Sequence, residues 1–188
     1  MSALFTPARY KLSVAEFHKL GDAGILSEDA RVELIDGELI EMAPIGPRHA
    51  SAVDTLVELL SPQAPGRFRL STQNPLSLPP RSEPQPDLML LRLREDRYAS
   101  SLPVADDVLL LFEVADRSVD YDRGPKLALY AQAGIREYWL VDLAAVRLEA
   151  YRAPGREGYG RRLELGVSDT VSPEALPGVA VELRTVLG

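Results

Sequence analysis

Apolar positions recur along this chain with two different periods, and the switches between them divide it into elements. Ser13 followed by Glu16 has the spacing of a capping box, and Val14, Phe17 and Leu20 repeat at helical spacing as far as Gly21, predicting a short opening helix. Residues 31–42 set two alternating runs around Asp36-Gly37, a dipeptide suited to a two-residue turn, so two antiparallel strands follow. Past Pro44 and Pro47, the spacing of Val53, Leu56, Val57 and Leu60 predicts a helix over 49–60 that packs on a sheet. Prolines crowd residues 62–86, where short strands are expected at 68–71 and 76–78.

Residues 87–91 and 108–115 are apolar at nearly every position, the pattern of central strands covered on both faces, with an exposed excursion over 92–107. Residues 122–133 read as a helix with Pro125 near its start and Gly134 at its end, leading into a strand at 137–142. Strand, helix, strand in that order implies a mixed sheet. Strands at 148–151 and 161–165 flank the Gly-rich turn 154–160 as a closing hairpin, and the tail is expected to be structural. The expected class is α/β (α+β), with a mixed central sheet flanked by helices and preceded by a β-hairpin.

Length and composition narrow the function. With 188 residues and 46% apolar content, one domain over 1–188 is expected. Apolar runs such as 108–112 fall far short of the roughly 20 residues of a membrane helix. Residues 1–10 lack the basic start and long apolar stretch of a secretory signal, so a cytoplasmic location is expected. The absence of cysteine excludes disulfides, thiolate nucleophiles and cysteine zinc sites. Two histidines and no Gly-x-Ser-x-Gly elbow leave little for a hydrolase triad, and no phosphate-cradling glycine loop is present. A net charge of −7 argues against a broadly basic surface. A metal site concentrates carboxylates, however, and Arg92, Arg94, Arg97, Arg117 and Arg123 are candidates to line a local basic groove.

Glu113 interrupts an otherwise apolar strand, and a carboxylate there needs an arginine partner, hydrogen bonds or a metal. Asp87, after Pro86 at the start of another strand, reads alone as a strand-end residue serving backbone donors. Together the two suit a hard divalent ion such as Mg²⁺ or Mn²⁺. Lys126, one of three lysines, sits on the helix after the Glu113 strand, where it would orient or activate water or stabilise charge on phosphate, or simply be solvated. Glu33 faces either solvent or a cleft, and His49 begins a helix as a cap, surface or catalytic residue.

The ordered set Glu-Leu-Ile-Asp-Gly-Glu at 33–38, His49, Pro-Asp at 86–87, Glu-Val at 113–114, Tyr-Asp-Arg-Gly-Pro-Lys at 121–126, Tyr130 and Gly-Ile-Arg-Glu-Tyr-Trp-Leu-Val-Asp at 134–142 resembles the Uma-type family of restriction-endonuclease-like proteins. The resemblance spans roughly residues 12–142. It implies a PD-(D/E)XK nuclease core and divalent-metal-dependent cleavage of nucleic acid, DNA foremost, with Mg²⁺ or Mn²⁺ as cofactor. On it, Asp87, Glu113 and Lys126 are the catalytic centre, Glu33 assists as a further metal or water ligand, and His49 and Tyr130 stand beside the site. The superfamily's simplest pattern has lysine two places after the glutamate, where this chain has Ala115; Lys126 stands where a lysine moved to the next helix is expected. Residues 113–118 also lack the family's usual Ser-Pro step, so the loop beside the site differs. A symmetric homodimer is a further expectation. The rival is a catalytically inactive nuclease fold serving as a binding or regulatory module.

Overall fold

A computed structural model describes residues 8–27 and 29–188. Most of the N-terminal stretch behind the signal-peptide expectation therefore lies outside the described residues. Helix α1 (Val14–Asp22) begins with the capping box: Glu16 N–H donates to Ser13 Oγ, and Ser13 N–H donates to the Glu16 carboxylate. Strands β1 (Val32–Ile35) and β2 (Glu38–Glu41) pair antiparallel about Asp36-Gly37, both with positive φ. Gly37 is required twice over, since a Cβ there would lie 2.7 Å from Lys11 Cβ and 2.9 Å from the Leu12 carbonyl oxygen.

Six strands form the central sheet in the order β3-β4-β5-β6-β7-β8: β3 (Arg69–Thr72), β4 (Leu88–Leu91), β5 (Val108–Ala115), β6 (Glu137–Asp142), β7 (Arg147–Gly155) and β8 (Gly158–Leu165). All neighbours are antiparallel except β5 and β6, whose parallel pairing follows from the helical crossover between them. The result is the mixed, helix-flanked sheet that the alternation of elements implied. One face carries α2 (Pro47–Leu60) and the tail elements β9 (Thr170–Val171), β10 (Val181–Glu182) and α5 (Leu183–Leu187), packed with Leu56, Leu60, Phe112, Trp139, Val181 and Leu183 in one core. The expected structural role of the tail is met there. The other face is covered by α3 (Val119–Tyr121), a π-helical turn (Asp122–Lys126) and α4 (Leu127–Gln132), over Met89, Leu111, Leu140 and Tyr138.

Several local expectations change. Residues 76–78 make isolated bridges, Ser77 to Val104 and Leu78 to Ser82, and no strand, because Pro75, Pro79 and Pro80 cannot donate to a ladder. The hairpin β1–β2 is a separate two-stranded sheet. The closing hairpin is longer than expected, since Gly155 and Gly158 pair at strand ends and leave only Arg156 and Glu157 in the turn. The helix expected at 122–133 starts earlier, at Val119, and widens at Asp122–Lys126 around Pro125, whose missing N–H and ring disfavour the ordinary α-helical turn. Among the described residues, no helix is long and apolar enough to cross a membrane.

Candidate active site

Leu88 stands opposite Phe112 in the antiparallel ladder, so the next position along each strand brings Asp87 opposite Glu113 at one end of the sheet. Directly opposed residues share a face. Asp87 Oδ2 accepts the Val114 N–H at 2.9 Å and lies 3.0 Å from His49 Nε2, contributed by the first turn of α2. Asp87 Oδ1 meets only the Gln73 amide, at 3.5 Å. Gln73 adopts φ of 50° just beyond β3, a left-handed conformation that non-glycine residues seldom take.

Glu113 is buried, and both of its donors converge on one oxygen: Oε1 accepts from Lys126 Nζ at 3.0 Å and from the Tyr130 hydroxyl at 2.6 Å. Among the described residues, no hydrogen bond reaches Oε2. The Lys126 ammonium also lies 3.2 Å from Glu33 Oε1, while Glu33 Oε2 accepts the Gln85 N–H at 3.2 Å. The buried face of β1 thus turns Glu33 inward to the ammonium. The π turn places a fourth carboxylate nearby: Asp122, also buried, accepts from Ser118 Oγ at 2.5 Å, and its backbone carbonyl accepts from the Tyr138 hydroxyl at 3.1 Å.

Glu33 and Glu113 therefore share a single ammonium, with Asp122 as a further carboxylate acting on it, and the deficit of positive charge shows at Glu113 and Asp122. Burial pushes the Glu113 carboxyl well above the ordinary carboxylate range, with Asp122, Asp87 and Glu33 adding to the rise and Lys126 opposing it. Asp122 is raised by burial in the same way. Burial disfavours the Lys126 ammonium, but Glu113, Glu33 and Asp122 outweigh that and raise its pKa, so it stays charged. The hydrogen bond to Asp87 raises His49 against the effect of burial. His49 Nδ1 is buried without a partner among the described residues.

The expected residues thus fall into two hydrogen-bonded groups at one end of the sheet, Glu113 with Lys126, Glu33 and Tyr130, and Asp87 with His49, joined by the Val114 N–H that Asp87 accepts. Asp122 and Gln73 stand beside them, and neither was expected. Asp122, Lys126 and Tyr130 follow one another at four-residue spacing, a polar stripe on a helix that the sequence displays. Gln73 offers no such signal. Two of the candidate groove arginines are committed elsewhere, Arg123 to Asp142 and Glu149, and Arg94 to Asp96.

The donor set suits a hard divalent cation. Asp87 Oδ1 and Glu113 Oε2 are oxygens with free acceptor capacity, and Mg²⁺ is commonly held by one or two carboxylates with water completing its shell. Glu33 is engaged with the ammonium, and among the described residues no group of three or more histidine, aspartate or glutamate side chains is placed to hold a metal ion. Asp87 and Glu113, opposed across the ladder, are the two carboxylates whose chemistry fits such an ion.

The sequence profile of the Uma2 family, described as "Putative restriction endonuclease", matches residues 14–185. A crystal structure described as that of a "putative nuclease belonging to DUF820" from Anabaena variabilis superposes with a TM-score of 0.70. The match covers 94% of this chain and 97% of that one at 15% sequence identity, a likeness of fold. No curated protein matches the chain in sequence.

Proposed function

The chain belongs to the Uma2 family, and on that premise we propose that it is a divalent-metal-dependent endonuclease that hydrolyses phosphodiester bonds, with DNA as substrate. The observation that carries the reading is the convergence of buried carboxylates from separate elements on one ammonium, with an oxygen of Asp87 and an oxygen of Glu113 left for a ligand. Elsewhere in the sheet, the buried carboxylates Glu137, Asp142 and Glu149 are met by arginines, whereas here Glu113 and Glu33 share one lysine.

Asp87 Oδ1 and Glu113 Oε2 would hold Mg²⁺ or Mn²⁺, which supplies a more acidic water and offsets the charge of the phosphate. Lys126 acts as a charged donor: the carboxylates around it raise its pKa, which suits it to orient the attacking water and stabilise charge developing on phosphate oxygens. Tyr130 fixes the Glu113 carboxylate by its hydrogen bond to Oε1, which leaves Oε2 for a ligand. His49 and the Val114 N–H do the same for Asp87 through Oδ2. Glu33 holds the same ammonium as a second carboxylate, at 3.2 Å. Cutting both strands of a duplex favours a two-fold homodimer.

Supercoiled DNA incubated with the purified protein and Mn²⁺ or Mg²⁺ should be nicked, and the Asp87→Ala variant should leave it intact. Equal nicking by the variant would sink the assignment. Metal binding by the wild type with no cleavage of DNA or RNA would instead mark an inactive nuclease fold.

A further inference from the structure

Glu113 pairs with Leu140 across β5 and β6, and Leu140 pairs with Glu149 across β6 and β7. The two glutamates therefore lie in one row of the sheet, two strands apart, or about 10 Å. The π-helical turn crosses that row. Lys126, at its end, reaches down to Glu113, and Arg123, near its start, reaches down to Glu149. The Arg123 grip is a planar fork: Nη2 lies 2.7 Å from Glu149 Oε1 and 3.0 Å from Asp142 Oδ2, and Nε lies 3.1 Å from Glu149 Oε2. Glu149 is fully buried, and Arg147, Arg162 and the Tyr151 hydroxyl hold it from the remaining directions. Its carboxyl is held below the ordinary range, since Arg123, Tyr151 and Arg162 outweigh burial.

Resting on the nuclease reading, we propose that Arg123 is a positioning residue for Lys126: by clamping the π turn to Glu149 and Asp142, it fixes where the ammonium meets Glu113. The physical reason lies in the turn itself. Pro125 deprives it of a backbone donor, so the turn is held by fewer backbone hydrogen bonds than an uninterrupted helix. A change in its winding would rotate Lys126 about the helix axis. The Tyr138 hydroxyl holds only the Asp122 carbonyl at the turn's start; the Arg123 clamp adds a side-chain anchor on the same row, beyond Leu140.

The test combines turnover with direct observation of the ammonium in the full chain. The protein has three lysines, and of these Lys126 alone is buried, so its ¹H–¹⁵N ammonium signal is identified as the one lost in Lys126→Met. In Arg123→Ala, the signal should shift or broaden and kcat should fall roughly 10- to 100-fold, the scale of a misplacement of about 1 Å, with KM for DNA nearly unchanged. Arg123→Lys, which keeps the charge and loses the fork, should show the same changes to a smaller degree and serves if the alanine variant does not fold. Arg152→Gln, which breaks a buried ion pair with no link to the π turn, should alter neither readout. An unchanged Lys126 signal in both Arg123 variants overturns the proposal whatever happens to the rate. If the wild type cleaves no nucleic acid, the nuclease reading fails, and a shifted ammonium signal still supports the positioning role.

Discussion

Glu113 on β5 and Glu137 on β6 are both buried glutamates in adjacent central strands, and they are treated in opposite ways. Glu137 Oε1 accepts from Trp139 Nε1 and from Arg152 Nε, each at 2.7 Å, and its Oε2 accepts the Glu174 N–H at 2.7 Å. Each oxygen has a donor, and the charge has a fork-shaped counterion. Glu113 has two donors on one oxygen, none on the other, and three further carboxylates as electrostatic neighbours. Burying a charge is costly in either place, and at Glu113 the offset is smaller because its one ammonium is shared with Glu33. A fold that can satisfy one buried glutamate so fully and leaves its neighbour under-served points to an external ligand at the second.

That contrast predicts a crossed pair of phenotypes. Glu113→Gln should lower DNA cleavage by about 10³-fold or more while leaving stability equal or higher, because a group whose ionised form burial disfavours has been removed and Lys126 retains Glu33. Glu137→Gln should do the reverse. It leaves Arg152 buried with only the exposed Glu174, at 3.5 Å, as counterion, at a cost of about 3 kcal/mol in urea unfolding, with cleavage per folded molecule intact. Equal losses of activity and stability in both variants would erase the distinction.

Proton linkage sharpens it. The raised Glu113 pKa means that the folded protein binds a proton there at pH values where an unfolded glutamate has released it. Stability should therefore fall as pH rises from the ordinary carboxylate range through the raised value, while cleavage, which needs the carboxylate, should rise about tenfold per unit over the same window. In Glu113→Gln, the stability profile should flatten there; a profile identical to wild type would assign the titration to another group.

Tyr130→Phe should follow in size. It deletes one hydrogen bond to a charged group and keeps the ring that packs on Tyr138, costing about 1.5–3 kcal/mol. Because the hydroxyl favours the ionised carboxylate, the acidic limb of the cleavage profile should move to higher pH. A profile that stays in place would show that Lys126 alone orients Glu113.

The sequence displays the acidic half of this site because polarity beside or inside an apolar run is conspicuous: Asp87 directly precedes one hydrophobic strand and Glu113 interrupts another. The sheet class was likewise legible, since the strand–helix–strand order forces the one parallel pairing. What stayed hidden depends on register. Glu149 alternates with apolar residues on β7 and reads as a solvent-facing position until the ladder places it in the Glu113 row. Arg123 reads as a groove residue for the same reason, as its partners lie 19 and 26 positions away. The π turn was invisible because Pro125 at a helix start signals an ordinary first turn. Tail strands β9 and β10, two residues each, are too short to show alternation.

The smallest effect belongs to His49, and its sign separates support of Asp87 from plain packing. The hydrogen bond to Asp87 raises the imidazole pKa, so the folded state favours the protonated ring more than the unfolded state does. The stability from this pair is fully present below the ordinary histidine value of about 6.5 and is lost as pH rises through the folded value. His49→Gln should consequently cost about 1 kcal/mol at pH 5.5 and less at pH 9, as read from paired urea titrations. A packing role alone would give one cost at both. The amide can still donate to Asp87 Oδ2, so cleavage near pH 9 should stay close to wild type if that donor is what Asp87 requires. A pH-independent cost, with cleavage lost throughout, would mean that Asp87 requires the imidazole itself and not merely a donor at that place.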